Sequence, residues 1–385
     1  MRVVMVIEGP PGPPYQVDWA NAAAAGCELI RVGHVRRLSW PAVPGLPFLG
    51  RQPEAPLLYQ IETFRWRPTR VFGRVSARVV ARRYEAALRH ITGEHGRVDV
   101  VHAHFFAGAD YLLHLKRTLG LPYIITEHSA ALTGQHPGAS ISPLGLKRAR
   151  RLFGAALYVI PVADSLRDAI ERHGLGGRLR VLPNPVDTAR FRVGSTPASD
   201  GEISVFSVGQ LTTRKAYDVL LRALARALPE EPRLRLRVVG EGPERGALDD
   251  LVGELGLADH VTFLGGRTRA EISAELQRAH LFALASYAEN LPVATIEALC
   301  CGVPVVTTDV GGNADLVDDR CGRLVPPGDP ELLASALLEV VAGLDGFDRE
   351  HIAAAAQRRF SYSAVGVQLA ELYRDAVATD PAGRR

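Results

Sequence analysis

Short, mostly apolar runs alternate with longer amphipathic segments along most of the chain. Runs typical of buried strands occur at positions 2–7, 98–103, 203–208, 234–239 and 281–285. Helix-length segments separate them, and several of these segments end at a glycine or just before a proline. The alternation predicts strand–helix–strand units, and therefore an α/β fold with parallel sheets. Residues 38–62 are rich in proline, and we predict that they are irregular.

The clearest of these units spans residues 281–312. A strand at 281–285 is followed by a loop that contains Glu289, a helix that carries Glu297, and a second strand at 303–307. Ligands of parallel sheets bind beyond the carboxyl ends of strands and against helix N-termini. A single glutamate is usually a solvated surface charge. Two glutamates at this place favour a ligand-binding role.

Length and composition indicate two domains in a soluble protein. The chain has 385 residues, of which 47% are hydrophobic and 23% charged. Residues 193–201 have the composition of a linker, so we place the boundary there, between residues 1–195 and 196–361. The four cysteines form no CxxC pair, which favours reduced thiols in a reducing compartment. Neither a signal peptide nor a membrane span is predicted, so a cytoplasmic location is expected.

Charge is distributed unevenly between the two halves. Residues 1–195 contain 26 Lys and Arg against 14 Asp and Glu, whereas the remainder contains 19 against 28. The first half is therefore expected to meet something anionic. Its segment 65–97 reads as an amphipathic helix whose basic face is either simply solvated or lies against an anionic membrane at its inner face. No nucleic-acid recognition motif accompanies the charge, so nucleic-acid binding is not expected.

Candidate polar residues follow several predicted strands. His102 and His104 end the strand at 98–103, and His128 follows the strand at 122–126. Neither HxxxH nor HExxH occurs, so no metal site is predicted. A structural role for His128 competes evenly with donation to a phosphate or hydroxyl group. In the second half, Gly209 is followed by Arg214 and Lys215, which could receive a diphosphate at a helix N-terminus.

Five segments in order carry a resemblance to a known family. The chain resembles the retaining family-four glycosyltransferases, whose GT-B architecture has two Rossmann-like, doubly wound domains that face each other across a cleft. The last segment contains the family's two glutamates, which are separated by seven residues. The segments are LPNPVDTARF (182–191), SVGQLTTRKAYDVLL (207–221), VVGEGPER (238–245), VTFLGG (261–266) and ENLPVATIEALCCGVPVVTTDVGG (289–312).

The resemblance implies a role for individual residues. Residues 1–195 would bind the acceptor, residues 196–361 the nucleotide-sugar donor, and a helix in 362–385 would cross back to the first domain. No cofactor or metal is implied, because the nucleotide sugar is a substrate. Glu289 and His128 would be catalytic. The donor diphosphate would contact Gly209, Arg214, Lys215, Asn290, Leu291 and Val293. The ribose and base would contact Glu297, Gly240, Leu264 and Gly265. The acceptor side would include His102, His104 and Tyr15.

Departures from the family pattern and open alternatives remain. Gln210 stands where many members have arginine, Ala216 replaces a common glycine, and the loop at 8–15 lacks a Gly-Gly pair. The acceptor could be a lipid-linked glycan intermediate, or a small soluble molecule such as a secondary metabolite or a sugar phosphate. A phosphorylase or an epimerase could share the architecture. A nicotinamide-dependent oxidoreductase is disfavoured, because GxGxxG is absent. The sequence does not specify the donor sugar, its base or the oligomeric state.

Overall fold

Two sheets organise the chain. The computed structural model describes residues 1–8, 14–24, 26–37, 49–51, 58–64, 70–134, 141–195 and 201–379. A seven-stranded sheet is built from residues before 162, and a six-stranded sheet from residues after 202. We call the first sheet with its helices the first unit, and the second sheet with its helices the second unit.

The first sheet has the strand order β3-β4-β2-β1-β5-β6-β7. Its described strands pair in parallel, except that β3 runs antiparallel to β4 at one edge. Every residue of β5 and β6 is buried, as expected where helices cover both faces of a parallel sheet. The strands are β1 (Arg2–Glu8), β2 (Glu28–Arg37), β3 (Leu49–Arg51), β4 (Leu58–Phe64), β5 (Val100–His104), β6 (Tyr123–Glu127) and β7 (Tyr158–Pro161).

Local sequence sets the ends of the helices of the first unit. Gly120 ends α3 in the left-handed conformation, with a φ of 64°. Ser142 caps α4 by accepting a hydrogen bond from the Gly145 N–H at 3.1 Å, and proline follows at the first helical position. The helices are α1 (Pro14–Ala24), α2 (Arg70–His95), α3 (Tyr111–Leu119), α4 (Pro143–Ala155) and α5 (Asp164–Arg172).

The second sheet is parallel in each of its pairings and has the order β10-β9-β8-β11-β12-β13. The switch between β8 and β11 is where a doubly wound sheet opens a crevice at its carboxyl edge. Its strands are β8 (Ile203–Val208), β9 (Leu234–Val239), β10 (Val261–Gly265), β11 (Leu281–Leu284), β12 (Val305–Thr308) and β13 (Gly322–Val325).

The helices of the second half cover that sheet and also reach the first unit. The final helix, α12, packs on α1, and the backbone N–H of Val186 donates to the Phe360 carbonyl at 2.7 Å. One apolar core therefore includes buried side chains from both sheets, such as Val4 and Phe282. The helices are α6 (Tyr217–Ala227), α7 (Arg245–Glu254), α8 (Arg269–Arg278), α9 (Val293–Cys300), α10 (Pro330–Ala342), α11 (Arg349–Phe360) and α12 (Tyr362–Thr379).

The predicted α/β class with two Rossmann-like sheets is confirmed. The prediction that residues 38–62 are irregular was wrong in part, because strands β3 and β4 begin there. Prolines that flank these strands in the sequence, such as Pro47, Pro53 and Pro56, obscured them, because proline normally indicates a turn or loop. Helices α4 and α8 were not predicted either. The domain limits at 195 and 361 stay a prediction.

Candidate active site

The carboxyl ends of strands from both sheets face each other across a cleft of about 610 Å³. Loops that follow β5, β6 and β7 form one wall, which we call the first-unit wall. Loops that follow β8 and β11 form the other, the second-unit wall. The lining residues are Phe105, His128, Ser129, Val162, Asn184, Val208, Gly209, Gln210, Arg214, Lys215, Glu289, Asn290, Leu291, Pro292, Val293, Ala294 and Glu297.

A buried carboxylate lies between two cations on the second-unit wall. The Lys215 Nζ donates to Glu289 Oε1 at 2.6 Å, and the Arg214 Nη1 lies 3.4 Å from Oε2. The Ser286 hydroxyl also donates to Oε1, at 2.7 Å. Burial by itself would raise the pKa of Glu289, but the charges of Lys215 and Arg214 outweigh that effect and lower the pKa. The carboxylate is therefore ionised.

A tight turn presents these two cations. Residues Thr213–Lys215 form a single turn of 3₁₀ helix, and Ala216 follows with a φ of 48°. That left-handed conformation normally favours glycine, which accounts for the glycine that many family members have at this position. The Arg214 carbonyl accepts a hydrogen bond from the Tyr287 N–H at 2.9 Å. Arg214 Nη1 donates to the Ala288 carbonyl at 2.8 Å, so the turn is attached to the loop that carries Glu289.

Two glycines allow the backbones beneath this wall to approach closely. A Cβ atom on Gly240, whose φ is 152°, would lie 1.8 Å from the Gly209 carbonyl oxygen. A Cβ atom on Gly311, whose φ is 58°, would lie 1.8 Å from the Glu289 carbonyl oxygen. Any larger residue would displace the strand ends that hold Gly209 and Glu289.

The second glutamate of the pair also lines the cleft, but it has a different partner. Glu297 Oε1 accepts a hydrogen bond from Arg269 Nη2 at 2.8 Å. Arg269 Nη1 in turn donates to both oxygens of Asp18, at 2.6 and 2.8 Å. Burial raises the pKa of Glu297 to about 7, against the opposing charge of Arg269. Sequence analysis did not identify Arg269 or Asp18.

The loop before α9 is fastened to the first unit. The Asn290 side-chain amide donates to the His128 carbonyl, and the Asn184 amide donates to the Leu291 carbonyl at 3.0 Å. Trp19 Nε1 donates to Asn184 Oδ1 at 3.1 Å. Because Val293 begins α9 at the cleft, the free N–H groups of that helix terminus are available to an anion.

Three neutral histidines lie together on the first-unit side, one at the cleft wall and two behind it. A hydrogen bond of 2.9 Å joins His104 Nδ1 to His128 Nε2. Burial lowers the pKa of His104 to about 3, and it lowers the pKa values of His102 and His128 well below the usual 6.5. The Trp19 ring contacts all three, with centroid distances of 6.0–6.3 Å. His128 alone of the three lines the cleft.

The structure places two predicted acceptor-side residues in the interior. His102 is completely buried, and its ring nitrogens are engaged by the Tyr373 hydroxyl at 2.6 Å and the Thr126 hydroxyl at 2.7 Å. His104 is 5% exposed and does not line the cleft. Both positions count against direct contact with an acceptor. The side chain of Tyr15 and the loop at 9–13 lie outside the described residues.

Of the four residues predicted to contact the donor ribose and base, Glu297 lines the cleft and the other three do not. Gly240, Leu264 and Gly265 lie at the ends of β9 and β10, beside the cleft, and the Gly240 N–H donates to the Gly265 carbonyl at 3.0 Å. Gly209, Asn290, Leu291 and Val293 do line it, together with both cations. These groups come together because the strands that precede them end at the same edge of the sheet.

A buried glutamate that the sequence analysis passed over organises the first-unit wall. Glu127 accepts hydrogen bonds from the backbone N–H groups of Phe106, His128 and Ser129 at 2.8–3.1 Å. Phe105, which directly follows β5, adopts a φ of 61°. Burial raises the pKa of Glu127 to about 7. The sequence signal that could have identified Glu127 was its position at a strand end, next to His128.

The described part of the chain contains no cluster of three or more His, Cys, Asp or Glu side chains that could hold a metal ion. Among its helices, none is long and apolar enough to cross a membrane.

Comparison with known proteins agrees with this geometry. Residues 191–359 match the family model "Glycosyl transferases group 1", and residues 21–190 match "Glycosyltransferase Family 4". A D-inositol 3-phosphate glycosyltransferase of Thermobispora bispora is 32% identical over 324 residues, which cover 74% of this chain and 72% of that protein. The chain belongs to the family-four, group 1 glycosyltransferases. It is thus a glycosyltransferase of a retaining family that uses a nucleotide sugar.

Solved structures of other proteins share the fold. Sucrose-phosphate synthase from Thermosynechococcus elongatus aligns with a TM-score of 0.77 at 20% identity and covers 98% of this chain and 99% of its own. Anabaena Alr3699/HepE in complex with UDP aligns with a TM-score of 0.75 at 19% identity, over 97% and 99% of the two chains. The lipopolysaccharide outer core galactosyltransferase WaaB aligns at 0.70 and 16%, over 99% and 100%. The resemblance to the GT-B architecture is thereby confirmed.

Proposed function

We propose that this glycosyltransferase moves a hexose from a nucleoside diphosphate hexose to a soluble, phosphate-bearing acceptor in the cleft. The observation that carries the proposal is the ionised Glu289 held between Lys215 and Arg214 at the cleft wall. Two cations and a helix N-terminus suit a diphosphate, and a carboxylate beside them suits the positive charge that develops on the sugar ring. UDP-glucose is the first donor to test, because HepE has been solved with UDP-glucose.

The donor would lie along the second-unit wall. Lys215, Arg214 and the N–H groups at the start of α9 would bind the diphosphate near Gly209. Asn290 and Leu291 would contribute backbone groups beside the sugar. Glu297 would accept hydrogen bonds from the ribose hydroxyls, and the base would extend toward Gly240, Leu264 and Gly265.

Transfer with retention needs no covalent attachment to the chain. The bond between the anomeric carbon and the leaving phosphate oxygen breaks while the acceptor oxygen bonds to the same face of that carbon. The acceptor proton passes to an oxygen of the leaving diphosphate. Glu289 stabilises the sugar cation, Lys215 and Arg214 stabilise the leaving group, and neutral His128 hydrogen bonds a sugar hydroxyl.

The first unit supplies the argument for an anionic acceptor. Residues 1–195 carry 26 basic against 14 acidic side chains, although the second unit alone provides the cations proposed for the diphosphate. The family relatives that are about 30% identical include several D-inositol 3-phosphate glycosyltransferases, whose name gives an acceptor that carries a phosphate. A phosphate-bearing cyclitol or sugar therefore agrees with both observations.

A matrix of donors and acceptors tests the proposal. UDP-glucose, UDP-galactose, UDP-N-acetylglucosamine and GDP-mannose are each incubated with inositol 3-phosphate, inositol and hexose phosphates, and the products are measured by mass spectrometry. We expect a product one hexose heavier than a phosphorylated acceptor, and no product from the unphosphorylated molecule. Transfer only to unphosphorylated or lipid-linked acceptors would contradict the acceptor class. Formation of a hexose 1-phosphate from an oligosaccharide and inorganic phosphate, with no nucleotide sugar present, would identify a phosphorylase.

A lipid-linked acceptor is the second candidate, and one surface favours it. On α4, Leu144 is 71% exposed beside exposed basic residues, among them Lys147 and Arg151. The predicted membrane-facing segment at 65–97 is described only in part, but Val79 on α2 is 46% exposed between arginines. Flotation with vesicles of anionic or zwitterionic lipid, at low and high salt, tests peripheral binding. Flotation of the protein with anionic vesicles at low salt, but not at high salt or with zwitterionic vesicles, would support this candidate. Absence of flotation with both kinds of vesicle would exclude it.

A further inference from the structure

A single arginine joins the proposed ribose carboxylate to the first unit. Arg269, the first residue of α8, donates through Nη2 to Glu297 and through Nη1 to both oxygens of Asp18 on α1. Asp18 lies 251 positions away in the chain and belongs to the other sheet's helices. The Glu297 carboxylate that lines the cleft is therefore held from behind by a contact between the two units.

The surroundings of this arginine make its orientation fixed. Asp18 is completely buried, and the Arg269 side chain is 19% exposed. The Tyr362 hydroxyl of α12 donates to Asp18 Oδ1 at 2.5 Å. The Arg269 guanidinium lies 5.1 Å from the centre of the Phe191 ring. Buried charges are tolerated in proteins when they are paired. Here the planar guanidinium of Arg269 pairs with two carboxylates, those of Asp18 and Glu297.

The arrangement leaves one oxygen of Glu297 for a ligand. Arg269 engages Oε1, and Oε2 accepts no hydrogen bond from the described residues. A vicinal diol is bound well by a carboxylate that is ionised and held in one rotamer. Burial raises the pKa of Glu297 to about 7, and the adjacent arginine opposes that change. Without Arg269 the pKa of Glu297 would be higher still, and the carboxylate would lose the hydrogen bond that orients it.

We propose that Arg269 is a positioning residue for the donor ribose: it fixes Glu297 through Oε1, while Asp18 of the first unit fixes Arg269. Recognition of the ribose hydroxyls is thereby coupled to the contact between α1 and α8. The proposal rests on the proposed function, since it assumes that Glu297 meets a ribose. No residue role for Arg269 or Asp18 follows from the family resemblance in the sequence.

The test measures how strongly the protein distinguishes a ribose from a dideoxyribose. UDP and GDP are titrated calorimetrically into the wild-type chain, followed by the 2′,3′-dideoxy form of whichever binds more tightly. We expect the wild type to prefer the natural nucleotide. R269Q and D18N should bind that nucleotide about tenfold more weakly, yet bind the dideoxy form as the wild type does. A general loss of structure would weaken both ligands equally.

Arg237 provides a matched control. It forms a two-bond ion pair with Glu275, which lies on α8 like Arg269 but away from the cleft. R237Q should retain the wild-type preference for the natural ribose. The proposal is overturned if R269Q and D18N keep that preference, or if R237Q loses it to the same extent. Failure of the wild type to bind either diphosphate would instead overturn the proposed function.

Two further measurements keep the test decisive if R269Q does not fold. R269K keeps the positive charge but not the planar guanidinium. It should lose most of the preference for the natural nucleotide over its dideoxy form. In the wild-type protein, hydrogen exchange of α1 amides near Asp18 should slow more with the natural diphosphate than with its dideoxy form. Equal slowing with both ligands would overturn the coupling.

Discussion

The two walls of the cleft use opposite electrostatics. On the second-unit wall, a carboxylate and two cations stand together, and Glu289 is kept ionised although it is buried. On the first-unit side, three histidines are buried and neutral, and burial lowers the pKa of His104 to about 3. Both sets of residues lie at carboxyl ends of parallel strands. The same topological position therefore supports a charged site and a neutral one.

The difference matches what each wall is proposed to contact. A nucleoside diphosphate carries several negative charges, which must be balanced within a partly dry cleft. A sugar hydroxyl is uncharged, so a neutral imidazole can bind it without the cost of burying an ion. For binding of the donor, charge should therefore dominate the effects of substitutions on the second-unit wall, and hydrogen bonding to the sugar should dominate on the first-unit wall.

The largest effect is expected from E289Q. Glutamine keeps the shape and one acceptor oxygen, but it removes the negative charge beside the sugar. We expect kcat for hexose transfer to fall by about 100- to 1,000-fold. UDP affinity should change little or improve, because Lys215 and Arg214 lose their internal counter-charge. Nucleotide release and calorimetric titration measure the two quantities.

E275Q is the matched control, since Glu275 also pairs with an arginine but lies away from the cleft. Turnover of E275Q should equal that of the wild type. Turnover of E289Q within tenfold of wild type would remove Glu289 from its assigned role.

A smaller effect, confined to the sugar, is expected from H128N. His128 lines the cleft across from the donor wall, and its pKa is far too low for it to carry a charge at neutral pH. Loss of one hydrogen bond to a sugar hydroxyl should lower kcat/KM for UDP-glucose by about tenfold. Affinity for UDP, which has no sugar, should not change. A comparable loss of UDP affinity would show that His128 acts on the diphosphate or on the fold.

The smallest expected effect concerns stability. Burial lowers the pKa of His104 to about 3, against about 6.5 in an unfolded chain. Between these values the unfolded chain binds a proton that the folded chain does not, so the free energy of unfolding falls as the pH is lowered. One such histidine costs roughly 2 kcal/mol between pH 7 and pH 5.

Denaturant unfolding at both pH values measures this term. Glu127 and Glu297, whose pKa values are raised to about 7, act in the opposite direction, so the comparison must be with a variant. The stability difference between wild type and H104Q should shrink by about 2 kcal/mol from pH 7 to pH 5. Replacement of exposed His351 by asparagine should leave the dependence on pH unchanged. A constant difference for H104Q would mean that His104 is charged in the folded chain.

The second-unit wall could be predicted from sequence because its groups lie near strand ends and within short, ordered segments. Glu289, Lys215 and Asn290 needed only strand assignment and the placement of carboxyl ends at one edge. The family resemblance added their expected roles. Strands β3 and β4 were missed because they are short and are flanked in the sequence by prolines, which normally indicate loops.

The first-unit wall was less predictable because burial depends on packing between distant segments. The sequence places both His102 and His128 near strand ends, yet His102 lies within β5, where the Tyr373 hydroxyl of α12 hydrogen bonds it, and only His128 reaches the cleft. The link from Asp18 through Arg269 to Glu297 joins segments 251 and 28 positions apart. No local pattern of residues encodes such a contact.

The central claim is that Lys215 and Arg214 make the second-unit wall a diphosphate site, and titration of UDP into K215M tests it most directly. K116M serves as control, since Lys116 Nζ donates to the Ala155 carbonyl, outside the cleft. We predict that K215M binds UDP at least about tenfold more weakly than the wild type, that K116M does not, and that wild-type affinity decreases with added salt. Equal affinity of K215M and the wild type for UDP would contradict the account.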